Sequence, residues 1–353
     1  MSTRVAFIGT GEIANKHALS LRAVKDAALV AVCDIHQGRA EKFAAQHGAK
    51  KAYANAEQML QTERPEVVHI LTPAHLHAAP AVLAMESGAD VLLEKPLATT
   101  VKECQDLESA CARSGVYGRV NHQLVYSPAF DKMRAMVKAC KFGRLNHVSV
   151  LFAVSADNLK SLPPSHFVFQ DPANAVLEFG VHPLAMVQDL MGGVRDCKVM
   201  TTTERGGLPT HWQIAFECER GTAELTLLLG RGGKQTLLTV SGEDASAMLD
   251  MNRQTILVQD MNPHLIYGQV ETAVRDAGRL LANGVSGLAA HYQNAFRLTS
   301  GMLRMDPFAR SVAAFYRERQ DKTGSVGLQA AREVIEYCDA AAQKYQRSMA
   351  VYA

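Results

Sequence analysis

The residues best suited to chemistry fall in four short segments. Gly9-Thr10-Gly11-Glu12-Ile13-Ala14 is a G-x-G-x-x-A turn that follows the apolar run Val5 to Ile8 and opens a helical pattern, and Asp34 closes the next apolar run. A turn of this kind brings the first backbone N–H groups of a helix, here around Glu12 and Ile13, to a pyrophosphate. Gly9 permits the tight bend, Gly11 lets the anion approach the backbone, and small Ala14 lets the helix pack closely on the strand. Asp34 is placed to accept hydrogen bonds from a ribose diol and to repel a 2′-phosphate, which favours NAD over NADP, although His36 and Arg39 nearby keep NADP possible. A helix-capping role for Asp34 is compatible with the same position.

The second and third segments, Leu71-Thr72-Pro73-Ala74-His75-Leu76-His77 and Glu94-Lys95-Pro96, each follow an apolar run. They are expected at the carboxyl ends of parallel strands, the edge where open sheets bind ligands. An ammonium there can hold a substrate hydroxyl and stabilise alkoxide character as hydride leaves carbon, which makes Lys95 a candidate. A strand-terminating Lys-Pro is the plain alternative. The fourth segment, Glu178-Phe179-Gly180-Val181-His182-Pro183, places an acid and an imidazole four residues apart at a predicted helix start, on one face. A histidine exchanges protons with an alcohol near neutral pH, and a neighbouring carboxylate can orient its ring. The chain has 13 histidines, and local pattern alone does not single out His182.

These segments need a scaffold, and the chain supplies one. Its 353 residues suffice for two domains. Lys plus Arg total 37 and Asp plus Glu 35, so the net charge of +2 gives neither a nucleic-acid footprint nor a polybasic membrane anchor. No apolar run reaches the length of a membrane span or of a signal-peptide core. The seven cysteines are scattered and contain no C-x-x-C pair, which argues against a disulfide framework and a zinc site and for a reduced, cytoplasmic setting.

From residue 4, apolar runs (Val5 to Ile8, Ala28 to Cys33, Val67 to Leu71, Val91 to Leu93, Val116 to Val120) alternate with helical-period segments such as Ala14 to Val24 and Ala78 to Ser87. This is the βαβ rhythm of a doubly wound parallel sheet. After Asn121 come a predicted helix, Pro128 to Ala139, a long strand, Asn146 to Ser155, and a proline-containing loop. Alternating runs between Asp196 and Val258 follow, punctuated by Gly206-Gly207, Gly221 and Gly230, as in an open and mostly antiparallel sheet. Helices are predicted over Leu265 to Ala282 and over Val326 to Tyr345, the latter with Val326, Ala330, Val334, Tyr337 and Ala341 on one stripe. The fold class is therefore α/β, with a dinucleotide-binding domain over residues 1–122 and a substrate-binding and oligomerisation domain over residues 123–353. Leu225, Leu227 and Leu229 on one strand suggest a sheet needing cover on both faces, hence a homodimer or homotetramer.

In order and spacing, the Gly9 turn, the Thr-Pro-x-x-x-His segment, Glu94-Lys95-Pro96 and Glu178 with Gly180 and His182 resemble the glucose-fructose oxidoreductase, inositol dehydrogenase and rhizopine catabolism family, Gfo/Idh/MocA. Val120-Asn121-His122-Gln123, Phe142-Gly143-Arg144-Leu145 and Pro307-Phe308-Ala309 are similar to that family too. The resemblance implies a Rossmann domain binding NAD(P) through Gly9, Gly11, Glu12, Ile13, Asp34, Thr72, Pro73, His77, Glu94, Lys95 and Asn121. It implies Lys95 as the active-site lysine, His182 as the proton-transferring histidine, Glu178 where the family usually has an aspartate, and a sugar, cyclitol or related polyol as substrate. Redox-assisted sugar elimination with recycled NAD, and a non-catalytic sugar or dinucleotide sensor, are the alternatives that the same residues leave open.

Overall fold

The computed structural model describes residues 2–164, 166–205, 208–260, 306–321 and 327–352, with isolated positions at 274, 277, 278, 281, 284 and 285. The predicted helix Leu265 to Ala282, the Gly206-Gly207 pair and Val326 lie outside these stretches or almost wholly so. The chain forms two compact units, Met1–Gln123 with Met302–Glu336, and Leu124–Gly301 with Tyr337–Ala353.

In the first unit, strands Thr3–Ile8 (β1), Ala27–Cys33 (β2), Lys51–Tyr53 (β3), Val67–Ile70 (β4), Asp90–Leu93 (β5) and Gly118–Val120 (β6) form a parallel sheet in the order β3-β2-β1-β4-β5-β6. This is the doubly wound order whose direction reverses between β1 and β4. The strands read as continuous apolar runs because helices cover both faces: Val5, Phe7, Val67, Ile70, Val91 and Leu92 are all fully buried. The covering helices are Glu12–Leu21 (α1), Gln37–His47 (α2), Ala56–Glu63 (α3), Ala78–Glu86 (α4) and Val101–Ser114 (α5). Sequence-specific stops fix them. Thr100 and Glu103 close a capping box at the start of α5, and Gly48 ends α2 in the left-handed region.

A helix from late in the chain, Pro307–Asp321 (α9), belongs to this unit, and Phe308, Val312, Phe315 and Tyr316 join its core with Phe7, Ala14 and Val32. Arg119 on β6 is fully buried and anchors that helix by donating to Glu318 (2.8 Å) and to the Ser311 carbonyl, with its guanidinium 5.6 Å from the Phe315 ring centre. The charge is tolerated at such depth because it is paired and hydrogen-bonded.

The second unit begins with helix Pro128–Lys138 (α6), capped by Ser127 and started by a proline. Its sheet contains Leu145–Ser155 (β7), Val194–Arg205 (β8), Leu208–Cys218 (β9), Gly221–Arg231 (β10), Gln235–Gly242 (β11), Ala245–Asp250 (β12) and Thr255–Asp260 (β13), in the order β13-β12-β11-β7-β10-β9-β8. Only the β7–β10 pair is parallel, so the sheet is mixed and mostly antiparallel, as its alternating pattern predicts. Short helix Ala156–Lys160 (α7) and helix Val181–Met191 (α8) pack on β7 and β10.

Two expectations are corrected here. Leu225, Leu227 and Leu229 are buried within the single chain, on the same face as Trp212, Ile214 and Val150, so that stripe makes no demand for a partner. The last helix, Leu328–Tyr352 (α10), buries Ala331 rather than Ala330, in a stripe with Val334, Tyr337, Cys338, Ala341 and Tyr345. Val334, Tyr337 and Ala341 of the predicted stripe are buried, and Ile335 and Cys338 widen that face on the Ala331 side. Trp212 is fully buried against Tyr345, with ring centres 4.7 Å apart.

Because α9 contributes apolar side chains to the first core, Phe315→Ala is expected to cost about 3–5 kcal/mol in urea unfolding followed by circular dichroism. A loss below about 1 kcal/mol would show that α9 is not integral to this unit.

Candidate functional site

The first unit gathers its polar residues at the carboxyl ends of β1, β2, β4, β5 and β6. Gly9 adopts φ +97°, and a Cβ there would lie 2.6 Å from the Leu71 carbonyl oxygen, so only glycine lets the β1 turn pass this close to the end of β4. A Cβ on Gly11 would meet nothing within 4 Å, and no side chain caps the first turn of α1, which begins at Glu12 beside Ile13. The helix therefore presents open backbone donors above an unobstructed glycine, the arrangement that takes an anion.

Asp34 sits where the ribose acceptor is expected and is already well supplied with donors. The Thr10 backbone N–H and hydroxyl donate to Oδ2 (3.1 and 2.8 Å), while the His36 N–H and Arg39 Nη2 donate to Oδ1 (3.0 and 2.9 Å). Burial alone would raise this carboxyl, but the hydrogen bonds from His36 and Thr10, with the Arg39 charge, outweigh it and hold the group below its ordinary range. The carboxylate thus fixes the Gly9 turn as well as facing the site. Arg39 is the exposed partner, with its side chain 56% accessible, and is the donor a ribose would displace most easily.

The β4 and β5 ends are tied together. His77, expected at the cofactor edge, is buried, with Nδ1 2.9 Å from the Pro96 carbonyl and Nε2 2.8 Å from the Thr72 carbonyl. Its ring is occupied in holding Thr72-Pro73 to the Lys95-Pro96 turn, where the peptide is cis. The Thr72 hydroxyl donates to the Leu76 carbonyl. Lys95 is half-buried at the end of β5.

Glu94 is buried in the middle of this edge. Its Oε1 accepts from Asn121 Nδ2 (2.7 Å) and faces His17 Nε2 (2.8 Å), and its Oε2 accepts the Lys95 backbone N–H (3.2 Å). Burial pushes the carboxyl up, yet the bonds from His17 and Asn121 and the Lys95 charge bring it below its ordinary value. Beside it, burial pushes the His122 imidazole down to about 4. Asn121 Oδ1 is buried and accepts no hydrogen bond among the described residues, which leaves an acceptor for a bound ligand at this edge. The set fits a dinucleotide: an open helix start for the pyrophosphate, an acid at the β2 end, and polar groups at the β5 and β6 ends.

In the second unit, His182 lies in the first turn of α8, buried among Val181, Leu184 and Ala185. The helix entry differs from the plain α-helix that the four-residue spacing predicts. Val176–Gly180, which carries Glu178, is wound as a wider turn with i→i+5 bonding before α8 begins. Such turns interrupt helices most often at functional positions. A Cβ on Gly180 would lie 3.2 Å from Val176, a tight contact within this turn, and 3.7 Å from Leu225 on β10, an ordinary one.

Comparison with known proteins follows these features. Residues 3–122 match the model of the GFO_IDH_MocA oxidoreductase family, NAD-binding Rossmann fold. Residues 3–122 thus resemble the NAD-binding domain of that family. NAD is accordingly the cofactor of this Rossmann fold. A scyllo-inositol 2-dehydrogenase (NADP(+)) of Bacillus subtilis is 34% identical over 131 residues, 37% of this chain and 40% of that protein. A D-apiose dehydrogenase of Paraburkholderia graminis is 26% identical over 54% of this chain and 50% of its own length. The chain thus spans about half, or less, of these curated relatives. The fold continues much further: the crystal structure of myo-inositol 2-dehydrogenase from Lactobacillus plantarum superposes with a TM-score of 0.76 at 16% identity, covering 99% of this chain and 98% of that one. A scyllo-inositol dehydrogenase from Lactobacillus casei, with NAD(H) and scyllo-inositol bound, gives 0.74 at 12% identity over 99% and 98%.

His17 and His69, which the sequence reading does not select, prove central to the first unit. The signal was available in principle: a histidine inside the fully buried strand Val67–Ile70 must find a polar partner. Gly9→Ala is expected to weaken NAD+ binding at least about tenfold in a fluorescence titration, since forcing a Cβ into this turn costs about 1–3 kcal/mol. Unchanged affinity would show that the turn does not hold the cofactor.

Proposed function

We propose that the protein is an NAD(P)-dependent dehydrogenase or reductase that moves hydride between nicotinamide and a hydroxyl-bearing carbon of a sugar, cyclitol or related polyol. The observation that carries this reading is Lys95 at the carboxyl end of β5, on the same edge of an NAD-binding sheet as the Gly9 turn. The substrate class is inferred from the inositol and apiose dehydrogenases that the chain resembles. Dinucleotide binding falls to residues 1–122, and substrate binding and assembly to residues 123–353, with α9 serving the first unit. Bound nicotinamide supplies the hydride acceptor or donor at its C4.

The protein's own groups handle the proton and the oxygen. The Lys95 ammonium holds the hydroxyl oxygen and stabilises its growing negative charge as the C–H bond breaks. His182 takes the hydroxyl proton on its ring nitrogen, and in the reverse direction returns it while Lys95 polarises the carbonyl. Glu178 orients the His182 ring. We further infer a cytoplasmic homodimer or homotetramer. None of the seven cysteines is in a disulfide, and no helix among the described residues is long and apolar enough to cross a membrane. The sheet face opposite the buried stripe exposes Met200 (61%) and Met248 (39%), in register with Gln213 and Thr239, and is the surface an identical copy would cover.

Lys95→Ala and His182→Ala are each expected to lower turnover on a polyol substrate by about 10²–10⁴-fold while NAD+ still binds, the size of effect an acid/base or oxygen-holding group supplies. Full turnover in either variant would remove that residue from the mechanism.

A further inference from the structure

The first unit contains a buried polar chain that the hydride-transfer scheme does not use. The Tyr316 hydroxyl on α9 is 2.9 Å from His69 Nε2 on β4, His69 Nδ1 is 2.9 Å from His17 Nδ1 on α1, and His17 Nε2 is 2.8 Å from Glu94 Oε1. His17 and His69 are fully buried, and aromatic rings seal them: Phe7 stacks on His69 at 4.8 Å between centres, and Phe308 meets His17 edge-on at 4.9 Å. Three elements distant in sequence thus converge on one carboxylate.

We propose that Tyr316, His69 and His17 form a one-way hydrogen-bond relay that keeps a single negative charge on Glu94 and thereby makes the site favour the oxidised, cationic nicotinamide over the reduced, neutral one.

The distances admit either direction, since a tyrosine hydroxyl donates or accepts and each ring nitrogen does so according to its tautomer; the direction proposed is the one that a neutral His17 beside an ionised Glu94 requires. Burial keeps His69 neutral and Tyr316 a phenol, so His69 has one N–H and Tyr316 has a hydroxyl proton to donate. In that direction Tyr316 donates to His69 Nε2, His69 Nδ1–H donates to His17 Nδ1, and the single His17 proton sits on Nε2, pointing at Glu94. Asn121 Nδ2 donates to the same Oε1, and the Lys95 backbone N–H to Oε2. With every donor aimed at Glu94, the relay carries one negative charge. Reversing it would place a proton either on Glu94 or on both His17 nitrogens, and either change brings the charge to zero. Lys95 adds the same positive charge in both cases.

The proposal rests on the proposed function, in which Lys95 at the end of β5 works beside the nicotinamide; the nicotinamide half of NAD then lies at the β4–β6 edge, since the strand order assigns the Gly9 turn and Asp34 to the other mononucleotide half. A buried anion there attracts the pyridinium of NAD+ and has no such attraction for NADH.

The test is binding without substrate, so it stands whether or not Lys95 and His182 carry turnover. Dissociation constants for NAD+ and NADH are measured separately for wild type, Glu94→Gln and Tyr316→Phe. The ratio of the NAD+ constant to the NADH constant is expected to rise roughly tenfold in Glu94→Gln, the effect of one charge acting over several ångströms at a protein's effective dielectric. A smaller rise, about threefold, is expected in Tyr316→Phe, because losing the terminal donor frees the relay to reverse. An unchanged ratio in Glu94→Gln, or a change there without any in Tyr316→Phe, overturns the proposal, as does equal weakening of both cofactors. Should a variant fail to fold, 15N NMR of histidine-labelled wild-type protein decides: His69 protonated at Nδ1 and His17 at Nε2 is the expected result, and the opposite tautomers contradict it.

Discussion

A carboxylate buried at the end of a parallel sheet has to be satisfied, and in this protein the satisfaction of Glu94 organises the whole carboxyl edge. Its donors come from α1 through His17, from the residue after β6 through Asn121, and from its own turn through the Lys95 backbone. Removing any one leaves a buried charge short of a partner, a cost large enough to select for all of them together. The helix that begins at the Gly9 turn is thereby locked to the strand end that carries Lys95. Gly9 works in the same direction from the other side, because its turn approaches Leu71 too closely for any side chain.

The second unit meets its requirement differently. There the side chains of interest sit on a helix entry, where a wider turn carrying Glu178 gives way to α8 and its His182. Dense packing holds this entry: Val181, Leu184, Met186 and Val187 are fully buried. Packing of this density fixes the backbone from which the His182 side chain projects.

Much of this was legible in the sequence. The Gly9 turn, the strand ends before Thr72 and Glu94, and the switch from parallel to antiparallel rhythm after residue 121 all register as local pattern, because period and turn chemistry are local properties. What escaped is non-local. Nothing near Phe308 or Tyr316 announces that they join the core built by Phe7 and Val32, and nothing near His17 announces His69 or Glu94. The wider turn at Val176–Gly180 has no distinct signature either, since its residues suit an ordinary helix. The stripe of Leu225, Leu227 and Leu229 was visible, but periodicity reveals only that a face is covered. It does not reveal that helices of the same chain do the covering.

The central claim is that an amine from the β5 turn and an imidazole from the α8 entry serve one alcohol oxygen. A crystal structure of the protein with NAD+ and a polyol that it oxidises tests this most directly. The account predicts a substrate hydroxyl within hydrogen-bond reach of both Lys95 Nζ and a His182 ring nitrogen, with the carbon that bears it against the nicotinamide ring. A substrate bound with its reacting hydroxyl held by other groups, or with those two nitrogens too far apart to share an oxygen, would contradict it.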